Sequence, residues 1–111
     1  MTDTAPQSFA AFWPHYVMAH RQRATRLLHC AGTLLGWALL VAAVLSRRLW
    51  LVPAALAAGY ASAWIAHFLV EHNRPATFAH PLWSWLADQK MVALMLAGRM
   101  EGEVRRVARQ S

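Results

Sequence analysis

Two long uncharged stretches, joined by a very short polar turn, constrain the fold of this chain most strongly. Residues 27–45 and 49–70 contain no Asp, Glu, Lys or Arg. At about 1.5 Å of rise per residue, the first stretch reaches about 28 Å as a helix, close to the thickness of a bilayer's hydrocarbon core. Only Ser46, Arg47 and Arg48 separate the two stretches. The sequence therefore predicts an antiparallel hairpin of two membrane-spanning helices, at residues 27–46 and 49–71.

The composition supports a membrane location. Of the 111 residues, 58% are hydrophobic and 14% are charged, whereas a soluble domain usually has about 25% charged residues. The net charge of +6 suits contact with anionic lipid headgroups. Nucleic-acid binding is not expected, because the arginines flank apolar spans and form no exposed stripe.

The distribution of basic residues predicts the orientation in the membrane. Three arginines precede the first span, six Lys or Arg residues follow the second, and only two lie in the turn. The positive-inside rule then places both termini on the cytoplasmic side of the membrane. We expect this membrane to be a bacterial-type inner membrane.

Less apolar segments flank the predicted hairpin. Residues 8–26 carry an aromatic face at helical spacing and then a basic end, which indicates an interfacial or re-entrant amphipathic helix. Residues 71–80 are predicted to be a loop, and a last helix is predicted from Pro81 to about Met100, lying at the interface or on the hairpin. We expect a flexible start at residues 1–8, one helical domain at 9–100 and a basic tail at 101–111, either solvated or in contact with headgroups. The predicted fold is an all-α integral membrane bundle, for which a homo-oligomer is plausible because two spans make a thin bundle.

The hairpin places two histidines at a similar depth. His29 lies 19 residues before Arg48, and His67 lies 19 residues after it, so both are expected near the cytoplasmic end of the bilayer. His67 and Glu71 are four residues apart and share one face of a helix. His72 is expected to point well away from that face.

His20 lies nine residues before His29, so the two would face opposite sides of one continuous helix. They converge only if the chain bends around residues 21–25.

Ionisable side chains at membrane depth are costly and suggest function, and His with carboxylate suits iron or zinc. Taken alone, the residues leave three readings open. They are an iron-dependent enzyme, a non-catalytic small membrane protein whose histidines are structural, and a zinc-dependent membrane hydrolase. Because Cys30 is the only cysteine, a disulfide framework and a CxxC metal site are excluded.

Two motifs resemble those of a known family. In residues 59–78 an aromatic span leads to His67, then after three residues to Glu71, and then to Arg-Pro-Ala at residues 74–76. Earlier in the chain, Tyr16, His20 and His29 are followed by Gly32. Together these motifs resemble the signature of the Mpo-type family of small membrane proteins, over about residues 9–100.

The resemblance implies an activity and a site. The activity is that of an iron(II)-dependent dioxygenase, which uses dioxygen to shorten membrane-borne 2-hydroxy fatty acids by one carbon in fatty-acid α-oxidation. The implied iron ligands are His20, His29 and His67, and the implied catalytic residue is Glu71, as a further ligand or as an orienting group. Whether Glu71 or Asp88 binds iron directly is left open. The residues expected to attract the substrate are Arg74, Arg23 and Tyr16.

Overall fold

The computed structural model describes residues 6–75 and 79–110, and the secondary structure within these ranges is helical, without strands. The predicted all-α fold class is thus confirmed for the described part of the chain. The helices are α1 (Phe9–Met18), α2 (Arg23–Ser46), α3 (Leu51–Ile65), α4 (Pro81–Leu96) and α5 (Met100–Gln110). A π-helical turn, Ala66–Glu71, continues α3 directly.

Two helical segments are long and apolar enough to cross a membrane, namely Arg23–Ser46 and Leu51–Glu71. Only 17% and 22% of their most apolar stretches are buried inside the protein. Large side chains such as Val44 and Leu45 are about four-fifths exposed, at 77% and 80%. These helices are therefore unlike the core helices of a soluble protein, which bury most of their apolar surface.

Small residues allow α2 and α3 to pack closely. A Cβ atom added at Gly32 would lie 2.5 Å from the Cβ of Ser62, and one added at Gly36 would lie 3.3 Å from the carbonyl oxygen of Ala55. Because the partner's number falls as the α2 number rises, the two helices run in opposite directions. Arg47, with a φ of 60°, ends α2 in the left-handed conformation that often terminates a helix.

The remaining three helices form an aromatic and apolar core beside this pair. The cluster joins side chains of α1, α4 and α5, and its buried members are Phe12, Trp13, Tyr16, Val17, Ala87, Met91, Met100 and Val107. The hydroxyl of Ser8 accepts a hydrogen bond from the Ala11 N–H and caps α1. Since α1 ends at Met18, the predicted helix over residues 8–26 is instead two helices with a bend between them.

The C-terminal segment forms the helix α5, whereas the sequence predicts a tail that is solvated or in contact with headgroups. Met100, Val104 and Val107 follow one another at helical spacing, which gives α5 an apolar face. Met100 and Val107 are buried against the core, and the indole N–H of Trp13 donates to Glu103 at 2.6 Å. Residues 1–5 of the predicted flexible start, together with residues 76–78 and 111, lie outside the described part of the chain.

Candidate metal centre

Three buried histidines from three different elements meet at one point. His20 follows α1, His29 lies in the second turn of α2, and His67 lies in the π-helical turn. Ligand nitrogens of the three rings all lie within 4.8 Å of one another. The Nε2 atom of His29 is 3.1 Å from that of His20 and 3.3 Å from that of His67.

The bend between α1 and α2 brings His20 to this point, and Arg26 stabilises the bend. The Arg26 side chain is 2% exposed. Its Nη1 donates to the carbonyl oxygens of His20, at 2.9 Å, and of Arg21, at 2.6 Å. Its Nη2 forms an ion pair with Glu101 of α5, so the buried charge is compensated.

The outward-facing nitrogen of each ring lies near an oxygen atom. Nδ1 of His20 lies 2.6 Å from the Tyr16 carbonyl oxygen, which can only accept, so this nitrogen carries the proton. Nδ1 of His67 lies 2.7 Å from Oδ1 of Asn73, and Nδ1 of His29 lies 3.5 Å from the carboxylate of Asp88.

Asn73 is held in the orientation that this contact needs. Its Nδ2 group donates to the carbonyl oxygen of Ala19 at 3.1 Å, so its Oδ1 atom faces His67 as an acceptor. The amide therefore connects the end of the second long helix to the bend that carries His20.

This arrangement fits a metal ion. With the protons on the outer nitrogens, the Nε2 lone pairs of all three rings face one another, which is unfavourable unless a cation lies between them. Nitrogen ligands bound at about 2.1 Å on neighbouring positions of a metal are about 3 Å apart, close to the separations seen. Metal-bound histidines also usually donate their other N–H to an oxygen acceptor. Three imidazoles suit both iron and zinc, so the donor set does not identify the metal.

Burial favours the neutral forms that this site needs. The pKa of His20 is lowered well below its ordinary value, first by burial and then by the neighbouring His29 and His67. The pKa of Tyr16 is raised well above its ordinary value, first by burial and then by Asp88. The Tyr16 hydroxyl donates a hydrogen bond to Asp88, and the Tyr16 ring stacks on His20 with 4.0 Å between centroids.

The predicted carboxylate partner of the histidines makes a different contact. Oε2 of Glu71 accepts a hydrogen bond from the backbone N–H of Gln22 at 2.8 Å. Within the described residues, the group of converging ligand atoms comprises the three histidines without Glu71. The expectation that His67 and Glu71 share one face treats residues 67–71 as part of an α-helix. A π-helical turn instead bonds residue i to i+5, which changes the angle between the two side chains.

The residues expected to attract substrate lie in two environments. Arg23 and Arg74 are exposed, while Tyr16 is buried beside His20. His72, with a φ of 59°, adopts the left-handed conformation that ends the π-helical turn, and its side chain is exposed. Its exposure agrees with the expectation that it faces away from His67.

Sequence reasoning missed Asn73 and Arg26. Asn73 lies three residues after the second uncharged stretch. An amide at that place is the signal in the sequence that could have indicated a contact with His67. Arg26 lies at the edge of the first span and was counted only as a basic flank. Asp88, the only acidic residue of α4, was considered only as a possible ligand.

One comparison with known proteins gives a match. A family model described as "2-hydroxy-palmitic acid dioxygenase Mpo1-like" matches residues 6–100 of the chain. No curated protein matches significantly, and neither does any solved structure.

Proposed function

We propose a function on one premise: the chain belongs to the family described as 2-hydroxy-palmitic acid dioxygenase Mpo1-like. The proposed function is that of an iron(II)-dependent dioxygenase, which removes one carbon from 2-hydroxy fatty acids at the surface of a membrane. The observation that carries this proposal is the convergence of three histidine Nε2 atoms whose outer nitrogens lie near oxygen acceptors.

The proposed metal ligands are His20, His29 and His67. Iron(II) held by three imidazoles would supply coordination positions for the hydroxyl and carboxylate oxygens of a 2-hydroxy acid, together with the redox capacity that dioxygen chemistry requires. The net reaction converts one 2-hydroxy acid and one dioxygen into a carboxylic acid shorter by one carbon, carbon dioxide and water. The substrate provides all four electrons that reduce dioxygen, so no second reductant is needed.

The chain's own residues keep the three rings in the binding form. The Tyr16 carbonyl oxygen and the Asn73 amide oxygen accept hydrogen bonds from the Nδ1–H groups of His20 and His67, which fixes the tautomer and the plane of each ring. Asp88 lies where it can take the same role for His29. Glu71 acts as a positioning residue in this proposal, because its carboxylate ties the π-helical turn to the start of α2.

The surroundings of the site suit an acid that arrives from a lipid layer. The three histidines lie at the end of the long helices where the exposed Arg23 and Arg74 are found. In the proposed orientation, the long helices span an inner membrane with both termini in the cytoplasm, and the arginines lie at headgroup level. There they attract the substrate carboxylate. A homo-oligomer stays a prediction.

A zinc-dependent hydrolase is the second candidate, because three histidines also form catalytic zinc sites. The two candidates are separated by loading purified protein with iron(II) under anaerobic conditions and then adding oxygen and 2-hydroxyhexadecanoic acid. Mass spectrometry should detect pentadecanoic acid and carbon dioxide with iron, and neither product with zinc or with the His29→Ala variant. An iron-loaded protein that leaves the acid unchanged would contradict the dioxygenase proposal.

A further inference from the structure

A groove leads away from the three histidines along the long helices. It lies between α2, α3 and α4. His29 and Asp88 line it at the histidine end, and Leu40 lines it at the opposite end. The groove therefore reaches the candidate metal centre at His29.

The two ends of the groove differ in polarity. An imidazole and a carboxylate lie at one end, while Gly36, Leu40 and Ala55 line the groove beyond them. Trp37 and Trp85 line it too and are each 46% exposed, and the Trp37 indole N–H donates to Gln89 of the lining at 2.8 Å. A groove with charged and imidazole groups at one end, mostly apolar walls and an exposed rim suits a molecule with a single polar head and an apolar tail that enters from surrounding lipid.

Gly59 lines this groove and has no evident packing role. A Cβ atom added at Gly59 would meet nothing within 4 Å, whereas one added at Gly32 would lie 2.5 Å from Ser62. Glycine within a helix costs about 0.5–1 kcal/mol relative to alanine. At Gly32 the close approach of a neighbouring helix accounts for that cost. At Gly59 no helix uses the space, which points to a ligand that does.

The length of the groove can be compared with that of a hydrocarbon chain. Leu40 lies eleven residues after His29, a distance of about 17 Å along α2. An extended chain advances about 1.3 Å per carbon, so the groove accommodates about 13 carbons. Gly59 lies eight residues before His67 along the second long helix. This distance is about 12 Å, or about nine carbons.

We propose that this groove holds the unbranched hydrocarbon tail of the substrate, with the acid group at the histidine end, and that Gly59 determines how long a tail is accepted. The inference rests on the proposed function, because it takes the substrate to be a fatty acid. It adds the location of the tail and a residue that sets chain-length preference.

The test is a larger side chain at Gly59. Gly59→Leu fills the groove about two-thirds of the way along from the histidines, without meeting another helix, and it does not lower helix propensity. Ala61→Leu is the matched control, because Ala61 is exposed on the same helix and does not line the groove. Both variants and the wild type are placed in lipid nanodiscs and loaded with iron(II). They are then given 2-hydroxyoctanoic or 2-hydroxyhexadecanoic acid, and turnover and equilibrium binding are measured for each acid.

The proposal expects a change in chain-length preference. Turnover and binding of the sixteen-carbon acid should fall by about tenfold or more in Gly59→Leu, because its tail can no longer be buried, while the eight-carbon acid changes by less than about threefold. Ala61→Leu should behave like the wild type. An unchanged preference in Gly59→Leu, or equal losses for both acids, would overturn the proposal.

The binding measurement separates this inference from the proposed function. If the wild type turns over neither acid, the dioxygenase proposal fails. The groove proposal is then decided by binding alone. A selective loss of the longer acid in Gly59→Leu supports it, and equal binding by the variant and the wild type refutes it.

Discussion

The Nε2 atoms of His20 and His29 lie 3.1 Å apart, although these histidines are nine positions apart in the chain and a bend between two helices separates them. This proximity depends on the bend at residues 19–22, since a continuous helix would direct the two rings to opposite sides. The candidate metal centre is therefore a property of the tertiary fold, and its parts can be tested one by one.

Removing one histidine should remove the metal. His29→Ala and His67→Ala each leave two imidazoles, so the purified variants should retain less than about a tenth of the wild-type metal content. His72→Ala is the control, because that side chain is exposed and should leave the metal content unchanged. Elemental analysis of detergent-purified protein checks the result. Loss of metal from His72→Ala with retention in His67→Ala would contradict the assignment.

Asn73 should matter for metal affinity without being a ligand. Asn73→Ala removes the acceptor of the His67 Nδ1 proton and the donor to Ala19, so the ring loses its fixed orientation. The dissociation constant of the metal, measured by chelator competition, should rise about 10- to 100-fold. Asn73→Asp keeps an acceptor at the same place and should recover much of the affinity. Equal affinities in Asn73→Ala and the wild type would mean that the ring is held by other contacts.

Arg26→Lys tests whether the bend supports the site. Lysine keeps the charge near Glu101, but its single ammonium group cannot reproduce the forked geometry with which arginine reaches two carbonyl oxygens. We expect a loss of about 1–3 kcal/mol in the free energy of unfolding and weaker metal binding. Arg23→Lys, at an exposed position, should change neither quantity. A fully stable Arg26→Lys variant with wild-type metal affinity would remove Arg26 from this role.

The hydrogen bonds that Glu103 accepts should make the stability of the folded protein depend on pH. Hydrogen bonds from Arg106 and Trp13 lower the pKa of Glu103 from 4.5 to about 2. Because the folded protein favours the ionised form, this stabilisation is complete above about pH 4.5 and is lost as the pH falls towards 2. The Tm of the wild type should exceed that of Glu103→Gln at neutral pH, and the gap should narrow over this acidic range. A gap of constant size would contradict the prediction.

Three glycines should respond differently to alanine. Gly32→Ala brings a Cβ within 2.5 Å of Ser62 and should cost about 1–3 kcal/mol by forcing α2 and α3 apart. Gly36→Ala, at 3.3 Å from the Ala55 carbonyl oxygen, should cost less. Gly59→Ala should be neutral or stabilising by up to about 1 kcal/mol, because alanine is the better helix former. Denaturant unfolding in mild detergent measures the free energy of unfolding of each variant. A loss in Gly59→Ala as large as that in Gly32→Ala would contradict the prediction.

The sequence predicted the elements of the fold better than the contacts among them. Uncharged runs and the short turn at Arg47 locate two long helices, because the length and charge of a segment depend only on local residues. The bend before Arg23 was recognised only as a condition for His20 to reach His29, since nothing local specifies its direction. The π-helical turn that redirects Glu71 was not predicted, because a periodicity argument assumes a regular α-helix. The packing of Val107 against α1 likewise depends on a face that only the folded core provides.

The ion pair between Arg26 and Glu101 has a consequence for the order of events during synthesis. These residues are 75 positions apart, and His29 faces Asp88 of α4. In the proposed membrane location, the two long helices can enter a bilayer and pair while the ribosome is still adding later residues. The support for the three histidines is complete only when α4 and α5 have been made and have folded back onto α1. Tight binding of the proposed metal would thus belong to the last stage of maturation: on this proposal, a chain arrested before residue 88 would already be inserted but could not hold the metal firmly.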